Sequence, residues 1–128
     1  MSLPRRPVRT TENFERTLDE VQRFLETELD AATAFADLLD RLDSWLDLVS
    51  EHPKMGGDLL RRAPRSVEAR ALARRLASEL GEGESVREWV LDDHLVLYLQ
   101  SPDAVWLLAI RHQRQLGYDL PRTWGPRD

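Results

Sequence analysis

Apolar positions follow two different rhythms along this chain. Phe14, Leu18, Val21, Leu25 and Leu29 recur every three or four residues and so share one stripe of a helix. Phe35, Leu38, Leu39, Leu42, Trp45, Leu46 and Val49 repeat the rhythm more broadly and predict a second helix. The last third, REWVLDDHLVLYLQSPDAVWLLAIRHQRQLGYDL, changes period. Three runs rich in Val, Leu, Trp, Tyr and Ile are parted there by Asp92-Asp93 and by Ser101-Pro102-Asp103, predicting strands over residues 86–91, 95–100 and 104–111. Connections this short require antiparallel neighbours. The last run is apolar at every position from 105 to 110, as suits a strand covered on both faces, and then breaks into Arg111-His112-Gln113-Arg114-Gln115.

Boundary residues complete the outline. Thr11 or Asn13 is placed to cap the first helix, and Glu12 and Glu15 favour the positive end of its dipole. His52-Pro53 closes the second helix, because a proline disfavours helical dihedrals in the residue before it. Two amphipathic helices joined this closely form an antiparallel hairpin. Residues 8–11, following Pro7, read as a short edge strand. Met55-Gly56-Gly57 marks a loop, and a third helix is expected from about Ser66, carrying Leu72, Leu76 and Leu80 and ending at Gly81 and Gly83. Residues 1–7 and 121–128 are expected to be flexible. The predicted fold is α+β within a single domain spanning residues 1–128. A short N-terminal strand and a helical hairpin pack on a small antiparallel sheet, with the third helix inserted.

Composition narrows the functional classes. A chain of 128 residues, 41% hydrophobic and 32% charged, is an ordinary globular domain able to bury a core. The absence of cysteine excludes disulfides, thiolate catalysis and Cys-based zinc sites. No run approaches the ~18 apolar residues of a membrane span. The basic start MSLPRRPVR lacks an apolar segment behind it, so the expected location is cytoplasmic, with no membrane partner. The net charge of −5 is uneven: residues 1–10 carry +3, residues 11–52 carry −9, residues 53–85 carry +2 and residues 86–128 carry −1. An acidic front half opposes a broad nucleic-acid surface. Polyanion contact would be confined to RRAPRSVEARALARR, which reads equally well as a solvated helix face.

Candidate chemistry is sparse. No metal site is expected, since neither His94 nor His112 has a ligand at suitable spacing on its own element. There is no nucleophile elbow or phosphate loop, and no cofactor is expected. Arg87, Arg111, His112, Arg114 and Tyr118 remain. Fixed positive charge beside a proton-shuttling histidine or tyrosine suits metal-free RNA cleavage, in which a 2′-hydroxyl attacks the adjacent phosphate. The same set suits an arginine-rich contact to a protein. The plainer readings are a cross-strand ion pair for Arg87, a half-buried strand-end residue for His112 and a core lid for Tyr118, with Trp89 and Trp106 in the core.

The segments VRTTENFERTLDEVQRFLE, EHPKMG and REWVLDDHLVLYLQSPDAVWLLAIRHQRQLGYD, in this order, resemble the RelE/ParE superfamily of type II toxin–antitoxin toxins. The match runs roughly over residues 8–120, and LLAIRHQRQLGYDL is similar to the ParE-like plasmid-stabilisation branch. Residues 58–84 exceed the family's usual short link and read as an insertion. The resemblance implies a small bacterial, growth-inhibiting toxin neutralised by a cognate antitoxin. ParE-like members block DNA gyrase without nuclease chemistry, whereas RelE-like members enter the ribosome and cut mRNA.

A RelE-type site would draw its catalytic residues from Lys54, Arg87, His112, Arg114 and Tyr118. The basic cluster expected of such a site is poorly met here, and the −9 segment disfavours docking on ribosomal RNA. Gyrase inhibition is therefore the favoured expectation and a metal-free endoribonuclease the alternative. A non-toxic interaction module of the same fold is a third reading. Arg70, Arg74, Arg75, Arg111 and Arg114 are the candidate partner-binding residues.

Overall fold

A computed structural model describes residues 5–29, 31–61, 71, 74, 75 and 77–115. The elements are β1 (Val8–Thr10), α1 (Glu12–Arg23) running on into a π-helical turn (Phe24–Glu28), α2 (Ala34–Glu51), β2 (Gly57–Asp58), β3 (Ser85–Leu91), β4 (His94–Gln100) and β5 (Val105–His112). The strands form one sheet in the order β1-β5-β4-β3-β2. The β3-β4-β5 meander is antiparallel, as its short connections require, and the hairpin helices and sheet give the expected α+β architecture. The sheet is nevertheless mixed. β1 joins β5 in parallel, and a two-residue β2, within what reads as a loop, joins β3 antiparallel. The expected third helix lies largely outside the described residues, as do residues 1–4 and 116–128. Among the described residues no helix is long and apolar enough to cross a membrane.

The start of α1 is fixed by two neighbouring polar residues with different tasks. Thr11 is the N-cap: it has extended backbone (φ −105°, ψ 162°), and its hydroxyl accepts the Phe14 N–H at 3.1 Å. The same hydroxyl donates to the Leu107 carbonyl at 2.9 Å. Asn13 does not cap; its Nδ2 donates to the Leu108 carbonyl at 2.8 Å. One turn later the Thr17 hydroxyl accepts the Ile110 N–H at 3.1 Å. All three residues are buried, so α1 is bonded along β5 by side chains as well as packed on it.

These bonds meet a bulge in β5. Tyr98 pairs with Leu107 and Leu97 with Ala109, leaving Leu108 as the extra residue. The bulge reverses the alternation of the strand. Val105, Leu107 and Ile110 join the core under the helices with Phe14, Val21, Leu42, Trp45, Val49, Val96 and Tyr98. Leu108 and Ala109 instead pack on the opposite face with Val86, Leu97 and Leu99, bordered by Leu59, Leu80 and Trp106. The uninterrupted apolar run therefore reflects burial on both faces together with a change of register. Asn13→Ala leaves the Leu108 carbonyl buried without its donor and is expected to lower stability by about 1–3 kcal/mol in urea denaturation.

α2 buries a narrower stripe than its sequence suggests. Leu38, Leu42, Trp45 and Val49 are buried, whereas Leu39 and Leu48 are 38% and 51% exposed. Spacings of four, three and four residues keep one face on the sheet, and Leu39 falls beside that face.

Candidate functional site

Where the hairpin's π-helical turn approaches the β3–β4 turn, the two elements enclose a pocket of about 230 Å³. Leu25, Leu29, Leu38 and Leu91 supply its apolar wall, and Asp37, Arg41, Asp92 and Asp93 its charged side. Arg41 forms an ion pair with Asp92, tying α2 to the turn. Asp92 has a φ of 54°, a left-handed conformation that Asp tolerates better than most residues. His94 and His112 complete the lining.

The two histidines are register partners across β4 and β5, with ring centroids 4.9 Å apart and planes perpendicular. Phe24, at the head of the π-helical turn, lies 5.2 Å from the His112 ring. The rings are buried, at 8% and 5% exposure. Burial, then the neighbouring His112, holds His94 down at about 4 against the opposing pull of Asp93 and Asp92. Burial also lowers His112, with Arg114 adding to the effect and Asp93 opposing it. His112 Nδ1 accepts the Arg114 backbone N–H at 3.1 Å, which assigns the ring proton to Nε2. The His94 Nε2 is buried and has no hydrogen-bond partner among the described residues. Both rings are thus neutral at pH 7 and largely buried, so they offer little to an external phosphate.

Arg87 sits elsewhere and serves another purpose. It points at the loop leaving α2, where Nη1 donates to the carbonyls of Gly56 at 2.7 Å and Lys54 at 3.2 Å. Its Nε donates to the Ser85 hydroxyl at 2.9 Å, and Asp58 lies 4.0 Å from Nη2. The buried Tyr98 holds the same loop: its hydroxyl donates to the Pro53 carbonyl and accepts the Gly56 N–H, both at 2.8 Å. Burial raises the Tyr98 pKa, while the Gly56 N–H and Arg87 pull the other way.

Arg87 and His112 share the helix-side face but not a site. Arg87 pairs with Tyr98 and His112 with His94. They are therefore about 13 Å apart along β4 and two strand spacings, about 10 Å, across it. The Lys54 side chain is exposed beside Arg87, and Arg114 is exposed beside His112. Arg111 Nη1 donates to the Gln115 carbonyl at 3.1 Å. Arg74 is exposed and Arg75 half-buried. Arg70 and Tyr118 lie outside the described residues. Among the described residues no cluster of three or more His, Asp or Glu side chains is placed to hold a metal ion.

Sequence reasoning overlooked Tyr98 as a polar anchor and His94 as the neighbour of His112. A tyrosine within HLVLYLQ carries a hydroxyl that needs a partner if buried, which was the available signal for the first. For the second, counting back from the Ser101–Asp103 turn in a regular hairpin sets His94 opposite Arg111. Only the bulge brings His112 into that place.

A small mixed sheet thus carries a helical hairpin on one face and an arginine-bearing strand exit at the end of β5. The sequence matches the family model described as the ParE toxin of the type II toxin–antitoxin system, parDE, over residues 8–117. The chain belongs to that family, whose toxins are paired with an antitoxin. No curated protein matches the sequence individually.

Proposed function

We propose that this toxin arrests growth by inhibiting DNA gyrase without nuclease chemistry, and that a cognate antitoxin neutralises it in the cytoplasm. The observation carrying this reading is the dispersal of the candidate nuclease residues. The guanidinium of Arg87 is taken up by two loop carbonyls and a serine hydroxyl, while the His112 ring is packed between Phe24 and His94. Transesterification of RNA requires a base, an acid and a phosphate clamp within hydrogen-bond reach of one phosphate. Residues 11–52, which include both hairpin helices, carry −9, and this further opposes docking on ribosomal RNA. Belonging to the ParE toxin family supports the same direction.

Purified protein is expected to inhibit supercoiling by gyrase and to leave mRNA intact in a translating ribosome assay. Added antitoxin should restore supercoiling. Messenger cleavage that is lost in Arg87→Ala and His112→Ala, with both variants folded by circular dichroism, would overturn the proposal. A protein inactive in both assays and harmless on expression would support a non-toxic module instead.

A further inference from the structure

The turn after β5 is tied around one side chain. The His112 N–H donates to Gln115 Oε1 at 2.7 Å, and the Gln115 N–H returns to the His112 carbonyl at 2.9 Å. The Gln113 N–H donates to the Asp93 carbonyl at 2.8 Å and its Nε2 to Asp93 Oδ1 at 3.2 Å. The Arg114 N–H completes the set by donating to His112 Nδ1 at 3.1 Å. Among these contacts, the last alone uses as its acceptor a group that titrates near neutrality.

An imidazolium has two N–H donors and no acceptor. Protonating Nδ1 therefore sets donor against donor and breaks the bond to Arg114. The surroundings offer the new charge little. The π-helical turn presents Phe24 and Leu25, which are apolar. From α2 come Asp37 and Arg41, the latter already paired with Asp92. β4 presents the neutral His94 at 4.9 Å; Arg111 lies on the other face of β5, and Arg114 in the turn repels a cation. The nearest attractive group is Asp93 in the β3–β4 turn, and its side chain already accepts from Gln113. A ring drawn towards Asp93 breaks its bond to Arg114 and competes with Gln113 for the carboxylate.

We infer that His112 is an acid-released latch: neutral, it holds the turn of Gln113, Arg114 and Gln115 against the sheet, and protonated, it frees that turn. The device controls the shape of the surface carrying Arg111 and Arg114, whatever partner reads it. It opens at a lower pH than an ordinary histidine would set, because burial lowers the affinity of the ring for a proton.

Residue-resolved amide hydrogen exchange on the full chain tests the latch. After correction for intrinsic exchange rates, protection at Arg114 and Gln115 is expected to fall at least about tenfold between about pH 7 and 5, while Val96 and Leu107 lose only what the drop in global stability takes from them. In His112→Gln, whose amide oxygen accepts a hydrogen bond but does not titrate, the decline should vanish. Unchanged protection at Arg114 in the wild type, or the same decline in His112→Gln, would overturn the inference. If that variant does not fold, NMR titration of the wild type decides. The His112 ring and the Arg114 amide should shift with one shared midpoint, and separate midpoints reject the latch.

Discussion

Tyr98→Phe is expected to destabilise the protein by about 2–3 kcal/mol, although it removes a single oxygen atom. The ring would stay where it is, edge-on to Trp45 at 5.5 Å, and no cavity of consequence would form. The loss is polar. The hydroxyl joins the Pro53 carbonyl to the Gly56 N–H, and Gly56 is buried, so its N–H would be left without partner or water. Gly56→Ala probes the same contact from the other side. A Cβ there would lie 2.8 Å from the Tyr98 hydroxyl and 2.9 Å from the Glu88 backbone carbonyl, and the backbone cannot swing aside as a side-chain tip can. Either change should loosen the loop that supplies the carbonyl acceptors of Arg87. Urea denaturation of both single variants and the double variant checks this. The double should cost clearly less than the two singles added, because they break one contact. Full additivity would mean that Tyr98 contributes through packing alone.

Acidification is expected to weaken the fold by about 3 kcal/mol through His94 alone. The sign follows from the direction of the shift. Burial and the nearby His112 hold His94 at about 4 in the folded protein, against an ordinary value of 6.5. The unfolded chain therefore binds this proton first. The stabilisation is fully present above about pH 6.5 and is lost progressively as pH falls towards 4. His112 is also lowered and acts in the same sense. Carboxylates titrate at the lower end of this window, so the informative quantity is the difference between wild type and His94→Gln. Thermal or urea unfolding of both proteins across the window should show stability curves that converge as pH falls. Parallel curves would show that the His94 ring titrates alike in the folded and unfolded states.

The helices and the meander were legible in the sequence because each depends on a local period. The apolar stripe of α1 and the proline stop after His52 are properties of a few successive residues, and so are the short turns around Asp92 and Pro102. The parallel pairing of β1 with β5 is a different kind of fact. It joins Val8 to Val105 across almost the whole chain, and three residues of strand carry no signal about their partner. The two residues of β2 are shorter still. The candidate site was legible as a list of residue types and not as a geometry. A regular hairpin would have pointed Arg111 towards the helices and His112 away from them. The extra residue at Leu108 inverts both, and its fixing bonds come from Asn13 and Thr17, more than ninety positions earlier.

That arrangement also bears on how the sheet ends. β1 covers β5 only from Val105 to Leu107, so beyond it a row of backbone donors and acceptors would ordinarily face outwards. Such a row invites another chain to add a strand. Here Asn13 and Thr17 occupy the Leu108 carbonyl and the Ile110 N–H, and the helix lies where a strand would have to settle. The first helix thereby closes this margin of the sheet to edge-to-edge growth beyond Leu107.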